Sequence, residues 1–429
     1  MTSDIPGTSD IPVTSSTPMP SAAPPDAPLL AGDPELRLLS ACLRPLAAAD
    51  RTQAIAAAAA QAFDADRLVA LANRHRVSGF VEHGLAAIGH RLPDEAAARL
   101  AQRTGASRLQ ALRNAGEEIR VCRALAAAGI DAIVVKGSTL AVHAHGLLAI
   151  KTSWDIDLLV GRENLASAGA ALGELGYRLS ILGGIEDPVQ IQRYLAVHKE
   201  AEWHNDDRAT VVELHTELSD NAVAIPGIGL GSARMMVDLM PGQALATLAP
   251  APLFAYLAFH GTTHLWSRLK WLADVAALLH DQDVEVLYRD GIALGAGRCP
   301  GVAIVLAHDL FAIAVPSALL DEIRADRATR RLIRYSLSAI AAAEDSQGKL
   351  MRPMAEVTAY ARAQAWLVPG FAYRWRAVRR FVTQPYLVDH LRVPTWAMPI
   401  AILSILPVRL LLRPARLRRQ AAGKTASTP

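Results

Sequence analysis

The feature of this sequence that most constrains its fold is a pair of apolar, strand-like runs in residues 134–160, separated by a short helical segment. The second run opens with Asp155 and Asp157, which are separated by a single isoleucine. Side chains alternate between the two faces of a strand, so both carboxylates point the same way while the isoleucine points into the core. The pattern predicts a small sheet in which a helix connects two strands.

The two aspartates predict a metal site at the start of the second strand. Neighbouring carboxylates raise each other's pKa unless a cation lies between them. Mg²⁺ prefers oxygen ligands, and it commonly binds between carboxylates and nucleotide phosphates. Gly137, just after the first strand, leaves room for backbone N–H groups to approach such phosphates. We therefore expect a nucleotidyl-transfer site that uses Mg²⁺ or Mn²⁺, and a solvated strand end is the alternative interpretation of the aspartates.

A third carboxylate is expected on a neighbouring strand, because nucleotidyl transfer by two metals uses three. Residues 198–204 and 210–218 have strand-like patterns, and the Asn-Asp-Asp turn signal between them predicts a β-hairpin. Glu213 is the best candidate, since it alternates against the valine and leucine beside it. His215 shares its face and is expected in the site wall. Glu202, on the partner strand, is the reserve candidate.

Two residues beside Gly137 are candidates for phosphate binding. Lys136 precedes the glycine and is expected to reach a phosphate as a point charge. A lysine exposed to solvent at the end of the strand is the alternative. Ser138 follows the glycine, and its hydroxyl either caps the next helix or binds phosphate; these two interpretations are compatible.

Residues 251–280 carry the strongest helical pattern in the chain. On one helix, His260 and His264 lie one turn apart on the same face, and Asp274 lies close to that face further along. A zinc protease would need glutamate directly after the first histidine, but Gly261 stands there. We expect this helix to form a polar wall of the site, with buried structural histidines as the alternative.

These motifs together resemble the uncharacterised bacterial nucleotidyltransferase-like proteins of the DNA polymerase β superfamily. The resemblance rests on the Lys-Gly pair, on the DIDLLV run, on residues 211–218 and on residues 260–274, and it extends over roughly residues 35–418. Members often carry arginine where this chain has Lys151, and lysine loses the bidentate phosphate geometry. The resemblance implies catalytic and metal-binding roles for Asp155, Asp157 and Glu213, and nucleotide contacts from Lys136, Gly137, Ser138 and Lys151.

The implied activity is transfer of a nucleoside monophosphate from an NTP to an acceptor that the sequence does not identify. Two alternatives remain open. One is a non-catalytic nucleotide-binding or assembly protein on the same fold. The other is a toxin-like transferase that acts on tRNA or protein.

Composition predicts a mainly helical protein that carries a small sheet, and the resemblance implies an α+β fold: a small mixed nucleotidyltransferase-type sheet with flanking helices, embedded in a mainly helical protein. Hydrophobic residues make up 52% of the chain and many are alanine, the best helix former. We expect five segments along the chain. These are a disordered tail (1–33), an N-terminal helical region (34–128), the nucleotidyltransferase core (129–225), a C-terminal helical domain (226–393), and a basic amphipathic segment with a tail (394–429).

Partners and location are less constrained by the sequence. The formal net charge of +3 argues neither for nor against nucleic acid, and the arginine runs at 374–380 and 409–419 are better explained as solvated helix faces. Residues 396–412 are apolar but interrupted by prolines, so we expect a helix packed on the domain, with peripheral membrane contact as the alternative. The three widely spaced cysteines and the polar N-terminus favour the cytoplasm.

Overall fold

The computed structural model describes residues 30, 32–151, 153–180, 191, 195, 198–342 and 360–383. Most of the predicted N-terminal tail and all of the predicted segment 394–429 lie outside these residues, as does the apolar run at 396–412. The five predicted segment boundaries stay a prediction.

Helices make up the described chain before the first strand. The first begins where the Asp33 side chain accepts a hydrogen bond from the backbone N–H of Leu36, with proline at the first helical position. The last is 34 residues long and is followed by Gly129, whose φ is +71°. The helices are α1 (Pro34–Cys42), α2 (Arg51–Ala59), α3 (Ala65–Arg74), α4 (Ser78–Ala87) and α5 (Asp94–Ala127).

A five-stranded mixed sheet follows, and it confirms the predicted fold class. Its spatial order is β1-β2-β5-β4-β3; β2 and β5 run parallel, and the other neighbours are antiparallel. The predicted hairpin is confirmed as β4 and β5. The elements are β1 (Ala132–Val134), α6 (Ser138–His145), β2 (Asp155–Val160), a 3₁₀ turn (Arg162–Asn164), α7 (Leu165–Glu174), β3 (Arg178–Ser180), β4 (Glu200–Asn205) and β5 (Thr210–His215).

A second hairpin was not predicted. It consists of β6 (Arg234–Met240) and β7 (Gln243–Leu248); β7 packs against β1 and β6 packs against α6. The Pro-Gly pair between the two strands is a turn signal, and Gly242 has the positive φ, +73°, that such a turn requires. The hairpin extends the β structure beyond residue 225.

The C-terminal part is helical, but the prediction of a single helix over residues 251–280 was wrong. The first helix there ends at Thr263, and Leu265 and Trp266 have positive φ values of 51° and 50°. The buried Trp266 ring lies over Gly261, where a Cβ would come within 2.4 Å of it. Packing of this indole thus turns the chain between two helices. The elements are α8 (Pro250–Thr263), α9 (Leu269–His280), α10 (Val284–Ala293), α11 (Cys299–Phe311), α12 (Ser317–Ala325), α13 (Arg327–Ala341) and α14 (Phe371–Thr383).

The two faces of the sheet pack into different hydrophobic clusters. Ile156 and Leu158 of β2 join side chains of α5 and α7 on one face. On the other face, Leu159 joins the cluster that includes the C-terminal helices. Asp155 and Asp157 share the face of Leu159 by strand alternation. The candidate site therefore lies on the sheet face that packs toward the C-terminal helices, opposite the face covered by α5 and α7. Within the described residues, no helix has the length and apolar character needed to cross a membrane.

Candidate functional site

The carboxylates predicted for the site are brought together by the parallel pairing of β2 with β5. Asp157 lies opposite Glu213 in this pairing, and Asp155 lies two residues before Asp157 on the same strand face. The Asp157 side chain is 2% exposed and that of Glu213 is 21% exposed. One ligand atom from each of Asp157, Glu213 and His215 lies within 4.8 Å of the others. Asp155 is outside that group of three, half-buried at the start of the strand.

His215 connects three carboxylates in the centre of the site. Its Nε2 lies 3.0 Å from Asp157 Oδ1 and 3.3 Å from Glu213 Oε2, and its Nδ1 lies 3.3 Å from Glu200 Oε2. Burial would lower the pKa of His215, but the hydrogen bond with Asp157 and the close approach of the other two carboxylates outweigh burial and raise the pKa well above its usual range. The three carboxylates around this imidazole thus favour its charged form. Glu200 was not predicted from the sequence, where it begins β4 among other polar residues.

Lys136 supplies the second cation of the site. Its Nζ lies 2.8 Å from Asp157 Oδ1, and its side chain is only 17% exposed, so the solvent-exposed alternative for this lysine was wrong. Burial would raise the pKa of Asp157, but the charge of Lys136 and the hydrogen bond from His215 outweigh burial and hold that pKa well below its usual range. Asp157 is thus a buried carboxylate between two cations.

Glu213 differs from Asp157 in the direction of its pKa shift. Burial raises the pKa of Glu213, and the neighbouring charge of Asp157 adds to the effect despite the hydrogen bond with His215. Glu202, the reserve candidate, lies directly opposite Glu213 on β4, and its side chain is 52% exposed. The sheet therefore places both candidates for the third carboxylate side by side, with Glu213 nearer to Asp157.

The turn between β1 and α6 lies against a buried glutamate of α5. Gly137 has φ +75°, and a Cβ there would come within 2.4 Å of Glu118 Oε1. The Ser138 N–H, at the start of α6, donates a hydrogen bond of 3.1 Å to the same oxygen. Burial raises the pKa of Glu118 to about 8, although the hydrogen bonds from Ser138 oppose the shift. Its Oε2 has no hydrogen-bond partner among the described residues.

The sequence analysis did not identify Glu118 as a site residue, although the sequence contains a pattern that could have indicated it. It lies within the apolar stripe of α5, between the buried residues Ala115 and Val121 and next to Ile119. A buried acidic residue in such a stripe requires a polar partner. In this fold the partner is the first amide of α6, whose N–H donates a hydrogen bond to the carboxyl group of Glu118.

Lys151 and Asp274 form a buried ion pair apart from the three-residue group. Asp274 accepts hydrogen bonds of 2.6 and 2.7 Å from Lys151 Nζ. His145 Nε2 lies 2.9 Å from Asp274 Oδ1. The pair joins the segment before β2 to α9. Lys151 was predicted to contact the nucleotide and Asp274 was predicted to share a helix face with the two histidines. Asp274 lies on α9 instead, because the chain turns at Trp266.

His260 and His264 pack against each other and against Trp271. The centroids of the two imidazoles are 4.7 Å apart, and that of Trp271 lies 5.4 Å from His260 and 5.1 Å from His264. Burial lowers the pKa of His260 well below its usual range, and the positive charge of Lys136 adds to the shift. His260 is therefore neutral, close enough to Lys136 to feel its charge, on the helix that faces the site.

Lys270, which the sequence interpretation did not single out, adds a further lysine within electrostatic range of Asp155 and Lys151. Burial lowers its pKa to about 8, and the charges of Arg76 and Lys151 act in the same direction, while Asp155 opposes them. The side chain comes from the first turn of α9. The half-buried Asp155 thus lies within electrostatic range of a lysine from the helical part of the chain.

Comparison with known proteins gives one match. Residues 61–312 match a family model whose description is "Uncharacterised nucleotidyltransferase". The matched range includes β2, β5, α8 and α9, and with them the elements that carry the site described above. No curated protein and no solved structure matches the chain.

Proposed function

This chain belongs to the uncharacterised nucleotidyltransferase family, and on that premise we propose that it transfers a nucleoside monophosphate from an NTP to an acceptor hydroxyl or phosphate, with Mg²⁺ or Mn²⁺ as cofactor. The observation that carries the proposal is the arrangement of Asp157 and Glu213. They are cross-strand neighbours with ligand atoms within 4.8 Å, on the strand face that also bears Asp155.

The donor set fits a divalent cation. Carboxylate oxygens suit Mg²⁺ and Mn²⁺, and the proposed ligands are Asp155, Asp157 and Glu213. In this structure Asp157 faces two cations, Lys136 and His215, which balance its charge. When bound, divalent ions would neutralise the phosphates and the charge that develops during transfer.

The residues around the metal ligands have proposed roles in binding and proton transfer. Lys136 and the backbone at Gly137 and Ser138 hold the triphosphate at the start of α6, where the helix dipole favours anions. For this the Ser138 N–H exchanges Glu118 for a phosphate oxygen. The acceptor oxygen attacks the α-phosphorus while the bond from that phosphorus to the β-phosphate oxygen breaks, so pyrophosphate leaves. Glu213 receives the acceptor's proton, because it is the more exposed of the two paired carboxylates.

Incubation of the purified full chain with Mg²⁺ or Mn²⁺ and each of the four α-labelled NTPs tests the proposal. Label transfer and pyrophosphate release are measured with RNA, protein and small-molecule fractions as acceptors. We expect Asp155→Asn and Asp157→Asn to abolish transfer. Asp206→Asn, in the exposed turn between β4 and β5, is the matched control and should leave transfer unchanged. Absence of both NTP binding and transfer, with no effect of the Asp155 exchange, would refute the proposal.

Nucleotide binding without turnover is the second candidate function. It is favoured by one observation: Lys136 and His215 already balance the charge of Asp157 without a divalent ion. Glu213→Gln distinguishes the two functions. Loss of transfer with NTP binding retained supports the enzyme. Binding that is the same in both proteins, with no transfer by either, supports the non-catalytic protein.

A further inference from the structure

Among the described residues, the contacts that attach helix α14 to the rest of the protein lie on one side of the helix. Tyr373 is 3% exposed, and its carbonyl accepts a hydrogen bond of 3.2 Å from Asn221 Nδ2. Ala377, one turn further along, is half-buried and packs against the main core. Arg380 forms a 2.7 Å ion pair with Asp220. These contacts fix which face of the helix is turned away from the rest of the chain.

An apolar stripe lies on the outward face. Phe371, Trp375 and Val378 are 82%, 59% and 49% exposed. At about 100° per residue, their spacings of four and three place them within an arc of about 60°, roughly opposite Tyr373 and Ala377. Large apolar side chains grouped on an exposed face mark an interaction surface.

Arginines flank this stripe. By the same helical geometry, Arg374 lies on one side of it and Arg379 on the other, and both are exposed. Arg376 is also exposed, and the sequence of α14 contains no aspartate or glutamate. The arginines of this run are exposed, as expected for a solvated helix face, and they also border an outward apolar stripe.

We infer that α14 is an interfacial helix that docks this protein on an anionic lipid surface. Aromatic side chains insert at the boundary between headgroups and acyl chains, and flanking arginines bind lipid phosphates. Charge complementarity selects this occupant. A second copy would bring arginines against arginines, and residues 409–419 of this chain are themselves arginine-rich.

Flotation of the full chain with phosphatidylcholine vesicles, with and without phosphatidylglycerol, tests the inference. We expect partition onto the phosphatidylglycerol vesicles alone, weakening as salt is raised. F371S/W375S should lower the partition coefficient at least about tenfold. R374Q/R379Q should lower it about fivefold for each arginine removed. L109S/L112S, which removes two exposed leucines of α5, is the matched control and should bind like the parent.

Several results would overturn the inference. The first is no binding to phosphatidylglycerol vesicles, and the second is binding that neither α14 variant weakens. A third is a concentration-dependent dimer, in sedimentation velocity, that F371S/W375S abolishes, because the stripe would then bind a second copy. A fourth is a protein that does not bind vesicles but binds single-stranded RNA, with RNA binding lost when Trp375 is replaced. All substituted residues are exposed, so each variant should keep the parent's melting temperature.

Discussion

Replacing Asp157 by asparagine tests the charge balance of the site. The exchange keeps the size of the side chain and removes a carboxylate that contacts both Lys136 and His215. Removing one partner of a buried ion pair costs about 3–5 kcal/mol, because the remaining charge stays buried and uncompensated. The Lys136 side chain is 17% exposed and can recover some hydration. We therefore expect the lower end, about 3 kcal/mol of unfolding free energy.

The assay is urea unfolding followed by circular dichroism, in the presence of a chelator so that bound divalent ions do not add to stability. Asp155→Asn is the matched control, since it is the same exchange on the same strand face. Asp155 is half-buried and forms no ion pair within the described part of the chain. Its exchange should cost less than about 1 kcal/mol. Both variants should lose nucleotidyl transfer, so the pair separates stability from activity.

A second measurement identifies the cause of the destabilisation. Combining Asp157→Asn with Lys136→Met removes the charge that the first exchange leaves unbalanced. The double variant should then be more stable than Asp157→Asn alone, by about 1–3 kcal/mol of coupling energy. The reasoning is refuted if Asp157→Asn and Asp155→Asn lower stability equally, or if the double variant shows no coupling.

Three further expectations concern the neighbouring residues. Glu213→Gln should lower transfer at least about a hundredfold and leave NTP affinity nearly unchanged; an equal loss of binding, measured by calorimetry, contradicts the assigned role. Gly137→Ala should lower the free energy of unfolding by about 2–4 kcal/mol, because φ is positive and the added methyl group meets Glu118. Gly129 has a similar φ but open space around it, so Gly129→Ala should lower that free energy by about 1 kcal/mol. Equal losses for the two variants in urea unfolding would contradict this explanation. Burial raises the pKa of Glu118 in the folded protein to about 8, from the ordinary value of 4.5. The folded protein therefore binds this proton more tightly than the unfolded chain. The resulting stabilisation is complete below about pH 4.5 and is lost progressively as the pH rises to 8. Relative to Glu118→Gln, the unchanged protein should therefore lose up to about 1.4 kcal/mol per pH unit in this window, and parallel stability curves would contradict the assignment.

Local patterns in the sequence predicted the elements on which the site is built. The alternation around Asp155 and Asp157 indicated a strand with one carboxylate face, and the turn signal between β4 and β5 indicated a hairpin; both elements are present. The break between α8 and α9 was not predicted. It depends on the contact of Trp266 with Gly261, and the helical periodicity of residues 251–280 continues through it.

Pairings between distant residues could not be predicted, since they depend on strand order and helix packing. Either strand of the hairpin could have paired with β2, and only the parallel β2–β5 register places Glu213 rather than Glu202 beside Asp157. The contact of Glu118 with Ser138 spans 20 residues, and the pairing of Lys151 with Asp274 spans 123. No periodicity within α5 or α9 encodes these partners.

The sequence by itself determined the chemistry available to this protein: carboxylates on strand faces, a glycine turn before a helix, and a chain rich in helix formers. These follow from short-range rules, because side-chain alternation, turn propensity and capping act over a few residues. The tertiary structure alone decided which charges meet. It buried Asp157 between Lys136 and His215, placed Glu118 under the Gly137 turn, and turned the aromatic stripe of α14 outward. Burial is a property of the whole fold. It shifts the pKa values of these charged groups and increases the free energy of their interactions.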